Sequence, residues 1–151
     1  MTKSEDYAAM LQNVISELNE FLSTKSETEQ SYKPRPDKWS QKEILGHLID
    51  SAINNIARVV RAQYEPLVVQ NYDQDNWVGC QKYNSQKSEN LLSTWITLNN
   101  HFIRVILNMK DSSLENNCKM PNGSNVTLQW LIEDYIKHIK HHMNQIYSLG
   151  K

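Results

Sequence analysis

The pattern that most constrains the fold of this chain is the repeat of apolar residues at three- and four-residue spacings in four long segments. These segments cover about residues 7–22, 44–60, 91–109 and 128–146. Because an α-helix turns once every 3.6 residues, such spacings place the apolar side chains on one face of a helix. No stretch keeps up the alternation of a β-strand for long. The sequence therefore predicts an all-α protein built as a four-helix bundle.

Helix start and stop signals bound these segments. Residues 2–5 and 40–43 each form the pattern of a capping box, in which a Ser or Thr and a Glu three residues later bind the first backbone N–H groups of a helix. Thr127 can cap the last helix, and Pro66 closes the second segment. Between Pro66 and about Ser88 lies a stretch with little periodicity, which is long for a connection in a compact bundle. Its length indicates either a functional loop or a crossover between parallel helices.

Composition limits the classes of function. The chain has 151 residues, enough for one stable domain, and we expect residues 1–151 to form a single domain. Its 16 basic and 17 acidic residues give no sign of a basic face for nucleic acid. No apolar run is long enough to span a membrane, and the N-terminus lacks the apolar region of a signal peptide. Cys80 and Cys118 have no zinc-site spacing and are typical of free thiols in a reducing compartment. We therefore expect a cytoplasmic protein that binds neither nucleic acid nor a membrane.

Two histidines of the last segment, His138 and His142, are four residues apart. At about 100° of rotation per residue they lie on one edge of the apolar face, whereas His141 lies nearly opposite and faces solvent. Imidazole is the commonest transition-metal ligand, and two rings at this spacing can reach one ion. A third histidine from a facing helix would complete a site with open positions for water or substrate. Histidines near a helix C-terminus are also common as surface residues that interact with the helix dipole, so the pair alone leaves both interpretations open.

His47 is the candidate for the third ligand, but its place on the second helix is less clear. On a helical wheel it falls outside the apolar arc and begins a polar stripe. The other members of this polar stripe are Ser51, Asn54, Asn55 and Arg58. The stripe either lines a cleft between helices or forms the solvent face of its helix, and the pattern alone does not separate these alternatives. His101 has no partner at a useful spacing, so no function is assigned to it.

With these residues assembled, the chain resembles the DinB/YfiT-like superfamily. The resemblance runs from about Lys33 almost to the end of the chain. Its carriers are the segments 36–40 (PDKWS), 43–50 (EILGHLID), 73–77 (DQDNW) and 138–146 (HIKHHMNQI). Each segment is short, and their order and spacing together make the resemblance specific.

The resemblance implies a four-helix bundle of up-down-down-up topology, in which the second and third helices run parallel and the long connection is their crossover. It also implies that His47, His138 and His142 together hold one divalent transition metal ion, commonly zinc, nickel or iron. Family members of known activity resemble S-transferases or isomerases that use low-molecular-weight thiols, and others are named as metal-dependent hydrolases. A small-molecule substrate is therefore implied, with such thiols among the candidates, and a homodimer is common in the family.

Two polar residues are candidates for orienting the ligands, since a metal-bound histidine usually donates its other N–H to a nearby oxygen. Asp50 is one turn beyond His47, and Gln145 is one turn beyond His142. A solvated carboxylate and an amide at the helix edge are comparably good interpretations of these two residues. No catalytic acid or base is identified. The leading hypothesis is a metal-dependent S-transferase or hydrolase, and its rival is a non-catalytic helical-bundle binding or stress-response protein.

Overall fold

Four long helices form the body of the protein, for which a computed structural model describes residues 1–149. The helices are α1 (Lys3–Ser23), α2 (Glu27–Ser31), α3 (Gln41–Ala62), α4 (Gln74–Gln81), α5 (Ser88–Asn108) and α6 (Leu128–Leu149). Helices α2 and α4 are short and lie in the connections. The long helices form a ring in which α1 packs on α5 and α6, and α3 packs on the same two helices. The predicted all-α four-helix bundle is confirmed.

The long helices begin where the capping signals predicted. Thr2 and Ser40 each accept the backbone N–H of the Glu three residues later at 3.1 Å, and that Glu accepts the backbone N–H of its cap residue in return. At the start of α6, Thr127 Oγ1 accepts the backbone N–H three residues later at 3.1 Å. Each such cap contributes about 1 kcal/mol to helix stability. Local sequence therefore decides where α1, α3 and α6 start.

A small three-stranded sheet lies at one end of the bundle. Its strands are β1 (Leu67–Val68), β2 (Asn117–Lys119) and β3 (Asn125–Thr127). Strand β1 follows α3 and β2 follows α5, and these two strands pair in parallel, whereas β2 and β3 pair antiparallel. The parallel pair agrees with α3 and α5 running in the same direction, as the up-down-down-up topology requires. The sequence did not indicate this sheet, because strands of two or three residues are too short to show an alternating pattern.

The long stretch between α3 and α5 is the crossover that joins these two helices. It contains β1, α4 and a 3-10 turn at Tyr83–Ser85. Both α4 and this turn pack against α3. The crossover therefore covers the helix that carries His47 as well as connecting the two parallel helices.

The apolar core lies between the four long helices, and its largest fully buried side chains include Trp95, Phe102 and Tyr135. The rings of Phe102 and Tyr135 stack with their centroids 4.5 Å apart. Burying an aromatic side chain of this kind contributes about 1.5–3 kcal/mol. The hydroxyl of Tyr135 donates a hydrogen bond of 2.7 Å to Asn99 Oδ1, and both residues are buried. This pairing avoids the penalty of an unsatisfied polar group in the core.

The two cysteines are free thiols, as the sequence predicted. Cys80 is exposed, and burial raises the pKa of the Cys118 thiol. Within residues 1–149, no helix combines the length and the apolar character needed to cross a lipid bilayer.

Candidate metal centre

His47, His138 and His142 meet where α3 packs on α6. His138 Nε2 lies 3.2 Å from His47 Nε2 and 3.0 Å from His142 Nε2. One ring nitrogen from each residue lies within 4.8 Å of the other two. His47 is fully buried, and the other two rings are half-buried. The structure thus brings the three predicted ligands into one compact cluster, the histidine cluster.

The donor atoms of the histidine cluster are spaced as a metal ion requires. Zinc-bound imidazole nitrogens lie about 2.0–2.1 Å from the ion, which places two of them about 3.3 Å apart in a tetrahedral site. A neutral imidazole has one N–H, and that of His142 is used at Nδ1, which donates to Gln145 Oε1 at 2.7 Å. His142 therefore turns the lone pair of its Nε2 toward the other rings. Three imidazole donors suit a divalent transition metal ion.

The histidine cluster holds its imidazoles in the neutral form. Burial lowers the pKa of His47 to about 3, with further lowering from the neighbouring His142 and His138. Burial also lowers the pKa of His138 to about 4 and lowers the pKa of His142. All three rings are neutral at pH 7, and the neutral ring is the form that binds a metal.

Polar groups contact two of the three rings at Nδ1, the ring nitrogen that does not face the other histidines. Gln145 lies where an orienting group for His142 was expected, and its contact is the 2.7 Å hydrogen bond to Nδ1. Ser51, a member of the polar stripe, places its Oγ 3.4 Å from His138 Nδ1. The buried Nδ1 of His47 has no hydrogen-bond partner among residues 1–149. His141 is exposed, as the helical wheel predicted.

Asp50 contacts the crossover instead of the histidine rings. Its Oδ1 accepts hydrogen bonds from the Tyr83 hydroxyl at 2.6 Å and from the Gln81 side-chain amide at 2.8 Å. Asp50 is fully buried, and this burial raises its pKa. The carboxylate is therefore neither solvated nor bonded to His47, because the crossover, which the sequence could not place, lies over this face of α3. Asp50 instead ties α3 to the crossover.

Two aromatic rings that the sequence did not single out pack on α3, Trp39 against His47 and Tyr83 against its neighbour Gly46. The Trp39 ring lies 5.1 Å from the His47 ring, measured between centroids. A Cβ atom built on Gly46 would overlap the Tyr83 ring, so only glycine permits this close approach of the crossover to α3. Trp39 belongs to the segment 36–40 that carries part of the family resemblance, which was the available signal for its importance.

Two cavities reach the histidine cluster from different sides. The larger has a volume of about 660 Å³ and is lined in part by His142, Trp39 and Gln145. The smaller has a volume of about 210 Å³ and is lined in part by His138, with Ser51, Asn55 and Arg58 of the polar stripe. The polar stripe therefore lines a cleft between helices, which decides between the two alternatives that the sequence had left open.

Fold and cluster together define a four-helix-bundle protein with an interhelical three-histidine site suited to a divalent metal. The sequence profile of the DinB superfamily matches residues 10–146, and the chain belongs to this superfamily. A protein of Oceanobacillus iheyensis that bears the name of a metal-dependent hydrolase is 28% identical over 148 residues, which are 97% of this chain and 81% of that protein.

Two solved structures share the fold. YfiT from Bacillus subtilis, called a probable metal-dependent hydrolase with an unusual four-helix bundle topology, superimposes with a TM-score of 0.87 at 18% identity. The match covers 99% of this chain and 88% of YfiT. A mycothiol-dependent maleylpyruvate isomerase superimposes with a TM-score of 0.75 at 10% identity, over 95% of this chain and 62% of the isomerase. At these identities the two structures establish the topology of the bundle and no more.

Proposed function

We propose that this chain is a divalent-metal-dependent enzyme that acts on a small molecule, either as a thiol S-transferase or as a hydrolase. His47, His138 and His142 are the proposed ligands, and zinc, nickel and iron are the candidate ions. The observation that carries the proposal is the meeting of three imidazole nitrogens within 4.8 Å of one another, between two cavities. The name of the Oceanobacillus relative supports the hydrolase, and the mycothiol dependence of the isomerase supports the thiol transferase.

The proposed chemistry divides between the ion and the protein. When bound by three neutral imidazoles, a dication supplies Lewis acidity that lowers the pKa of a water molecule or a thiol in the site. Gln145 accepts the Nδ1–H of His142 and so keeps the other nitrogen of that ring aimed into the cluster. The ring of Trp39 packs on the buried His47 ring and so helps to hold it in place. The cavities leave room for a reactant beside His138 and beside His142.

Elemental analysis of protein purified without chelator tests the proposed ligands. We expect about one equivalent of metal in the unmodified protein and almost none in His47→Ala, because loss of one of three ligands weakens binding strongly. His101→Ala is the matched control, since His101 is an exposed histidine of α5. Equal metal content and affinity in the unmodified protein and in His47→Ala would contradict the ligand set.

A non-catalytic binding or stress-response protein is the second candidate, and one observation favours it. Among residues 1–149, no carboxylate forms a hydrogen bond or ion pair with the histidine cluster, so no side-chain general base is in contact with it. Incubating the metal-loaded protein with cellular thiols plus small electrophiles, and separately with esters and amides, distinguishes the candidates. Turnover that disappears in His47→Ala supports the enzyme. Full metal loading without turnover on either substrate set supports the binding protein.

A further inference from the structure

The side chain of Arg58 is a cation at the smaller cavity, beside His138, and it has no role in the proposed function. Arg58 of α3 lines this cavity together with Tyr72 of the crossover. The volume of about 210 Å³ is several times the ~30 Å³ that one water molecule occupies in the liquid. The cavity can therefore hold a group of several heavy atoms next to the histidine cluster.

Arg58 is half-buried and has no carboxylate within ion-pair distance among residues 1–149. Its Nη2 donates one hydrogen bond of 2.7 Å to the backbone carbonyl of Gln70. A guanidinium has five N–H donors, so this bond leaves most of its donor capacity free. Burial lowers the pKa of Arg58, yet an arginine stays charged at neutral pH. A partly desolvated and unpaired cation favours an anionic partner.

The other groups around the cavity define the charge that a ligand meets. Burial raises the pKa of Tyr72, so its hydroxyl is protonated at pH 7 and available as a donor. The histidine side chains of the cluster bring no negative charge to the cavity, so a bound dication would add to the positive potential of Arg58. Asp134 of α6 also lines the cavity, and its charge favours the charged form of Arg58, but it is exposed and forms no ion pair with that residue. Among the described residues that line this cavity, Asp134 is the carboxylate, and it repels an anion.

We propose that the cavity beside His138 is a carboxylate-binding subsite, in which the Arg58 guanidinium takes the carboxylate of a small substrate through two parallel N–H donors. The planar fork of arginine matches a carboxylate in this way. A substrate anchored at Arg58 has its remaining atoms beside His138, at the histidine cluster. This inference rests on the proposed function for the reacting end of the substrate, and it narrows the substrate to small carboxylic acids.

Calorimetric titration of the metal-loaded protein with succinate and with uncharged succinamide tests the subsite. We expect succinate to bind at least about tenfold more tightly than succinamide, because only the carboxylate forms charge-assisted hydrogen bonds with arginine. Arg58→Gln should remove this preference, while its amide can still donate to the Gln70 carbonyl and hold the crossover. Arg58→Lys, which keeps the charge and loses the fork, should fall between the two.

Two further variants, one on α3 and one on α6, test the role of charge in succinate binding. Arg61→Gln, one turn along α3, should leave succinate binding unchanged, because Arg61 is exposed and paired with Glu65 at 2.5 Å. Asp134→Asn should strengthen succinate binding several-fold, because it removes a like charge from the cavity. Unchanged succinate affinity in both folded Arg58 variants, or equal affinity for succinate and succinamide, would overturn the subsite.

The same titration with His47→Ala separates this inference from the proposed function. Suppose that His47→Ala contains no metal and binds succinate more weakly than the metal-loaded protein does. If that remaining binding still depends on Arg58, both ideas are supported. If the unmodified protein contains no metal, the proposed function fails, while the Arg58-dependent preference for succinate can still be measured on the metal-free protein. If the metal is present and depends on His47 but succinate does not bind, the subsite alone is wrong.

Discussion

Two regions of the bundle interior, one turn apart on α6, differ in whether all their buried polar groups have hydrogen-bond partners. At Tyr135, the hydroxyl is paired with Asn99 at 2.7 Å and both residues are buried. At His138, three imidazoles turn nitrogens toward one another, and the buried Nδ1 of His47 lacks a partner in the described chain. A paired polar group stabilises the fold, whereas a buried polar group without a partner costs free energy, and a ligand that binds only the folded protein can offset that cost. The comparison separates polar residues that serve the fold from those that serve the site.

The largest effect should come from removing and restoring the metal. Zinc added to chelator-treated protein, at a thousandfold excess over its Kd, should stabilise the fold by about 4 kcal/mol. For a domain of this size that corresponds to a rise in Tm of roughly 10 °C, which differential scanning calorimetry measures. His138→Ala should show no such rise. An equal rise in that variant would remove the distinction between the two regions.

Gly46→Ala should destabilise the protein by about 3 kcal/mol, the upper end of the overpacking range, because the new methyl group overlaps the Tyr83 ring. Urea unfolding measures this change. Gly79→Ala in α4 is the matched control: a Cβ there meets no atom within 4 Å, and alanine should stabilise the helix by up to about 1 kcal/mol. In a Tyr83→Ala background the Gly46 substitution should cost little. A full penalty in that background would show that the overlap is not the cause.

Asn99→Ala should cost about 2 kcal/mol, because it leaves the buried Tyr135 hydroxyl without its partner. Chemical denaturation of Asn99→Ala, Tyr135→Phe and the double variant isolates the pair. The double variant should be less destabilised than the sum of the two single variants. Strict additivity would mean that the hydrogen bond does not stabilise the core.

Gln145→Ala should leave the stability of the fold nearly unchanged but weaken metal binding, in contrast to Asn99→Ala, which should lower the stability. Its side chain is exposed, so the metal-free protein should lose less than about 0.5 kcal/mol of stability. Its contact with His142 Nδ1 should nevertheless make metal binding about tenfold weaker. Competition with a chromophoric chelator measures the affinity, and Asn144→Ala, the exposed neighbour, is the control. Unchanged metal affinity in Gln145→Ala would leave His142 without an orienting partner.

The smallest effect concerns an ion pair outside both regions, between the exposed Glu27 and the buried Lys42. Hydrogen bonds from Lys42 and then from Ser88 lower the pKa of Glu27 from 4.5 to about 2. Since the folded-state pKa is the lower one, this contact stabilises the fold above pH 4.5 and is lost as the pH falls toward 2. Solvent screening of the half-exposed carboxylate limits the contribution to about 1 kcal/mol or less. The stability difference between the unmodified protein and Glu27→Gln should therefore disappear over this pH range, and a constant difference would contradict the assignment.

The parts of the fold that could be predicted are those with a local cause. Capping boxes at Thr2 and Ser40 and the apolar periodicity depend on residues a few positions apart, and these features correctly predicted the long helices. The sheet escaped prediction because its strands are too short for a pattern, and because β1 and β2 pair across a long sequence separation, after the ends of α3 and α5. Asp50 was placed wrongly in both interpretations because its partners, Gln81 and Tyr83, belong to a crossover of unknown path.

The sequence by itself determined four amphipathic helices, their starts, and the placement of His138 and His142 on the same edge of α6, because a helix fixes the spacing of its own side chains. Only the tertiary structure decided that the polar stripe beginning at His47 faces a cleft, and that Arg58 lines a cavity beside the histidine cluster. A helical wheel describes one helix and contains no information about its neighbours. Which face of α3 meets α6 follows from packing the whole bundle, and that packing completes the site.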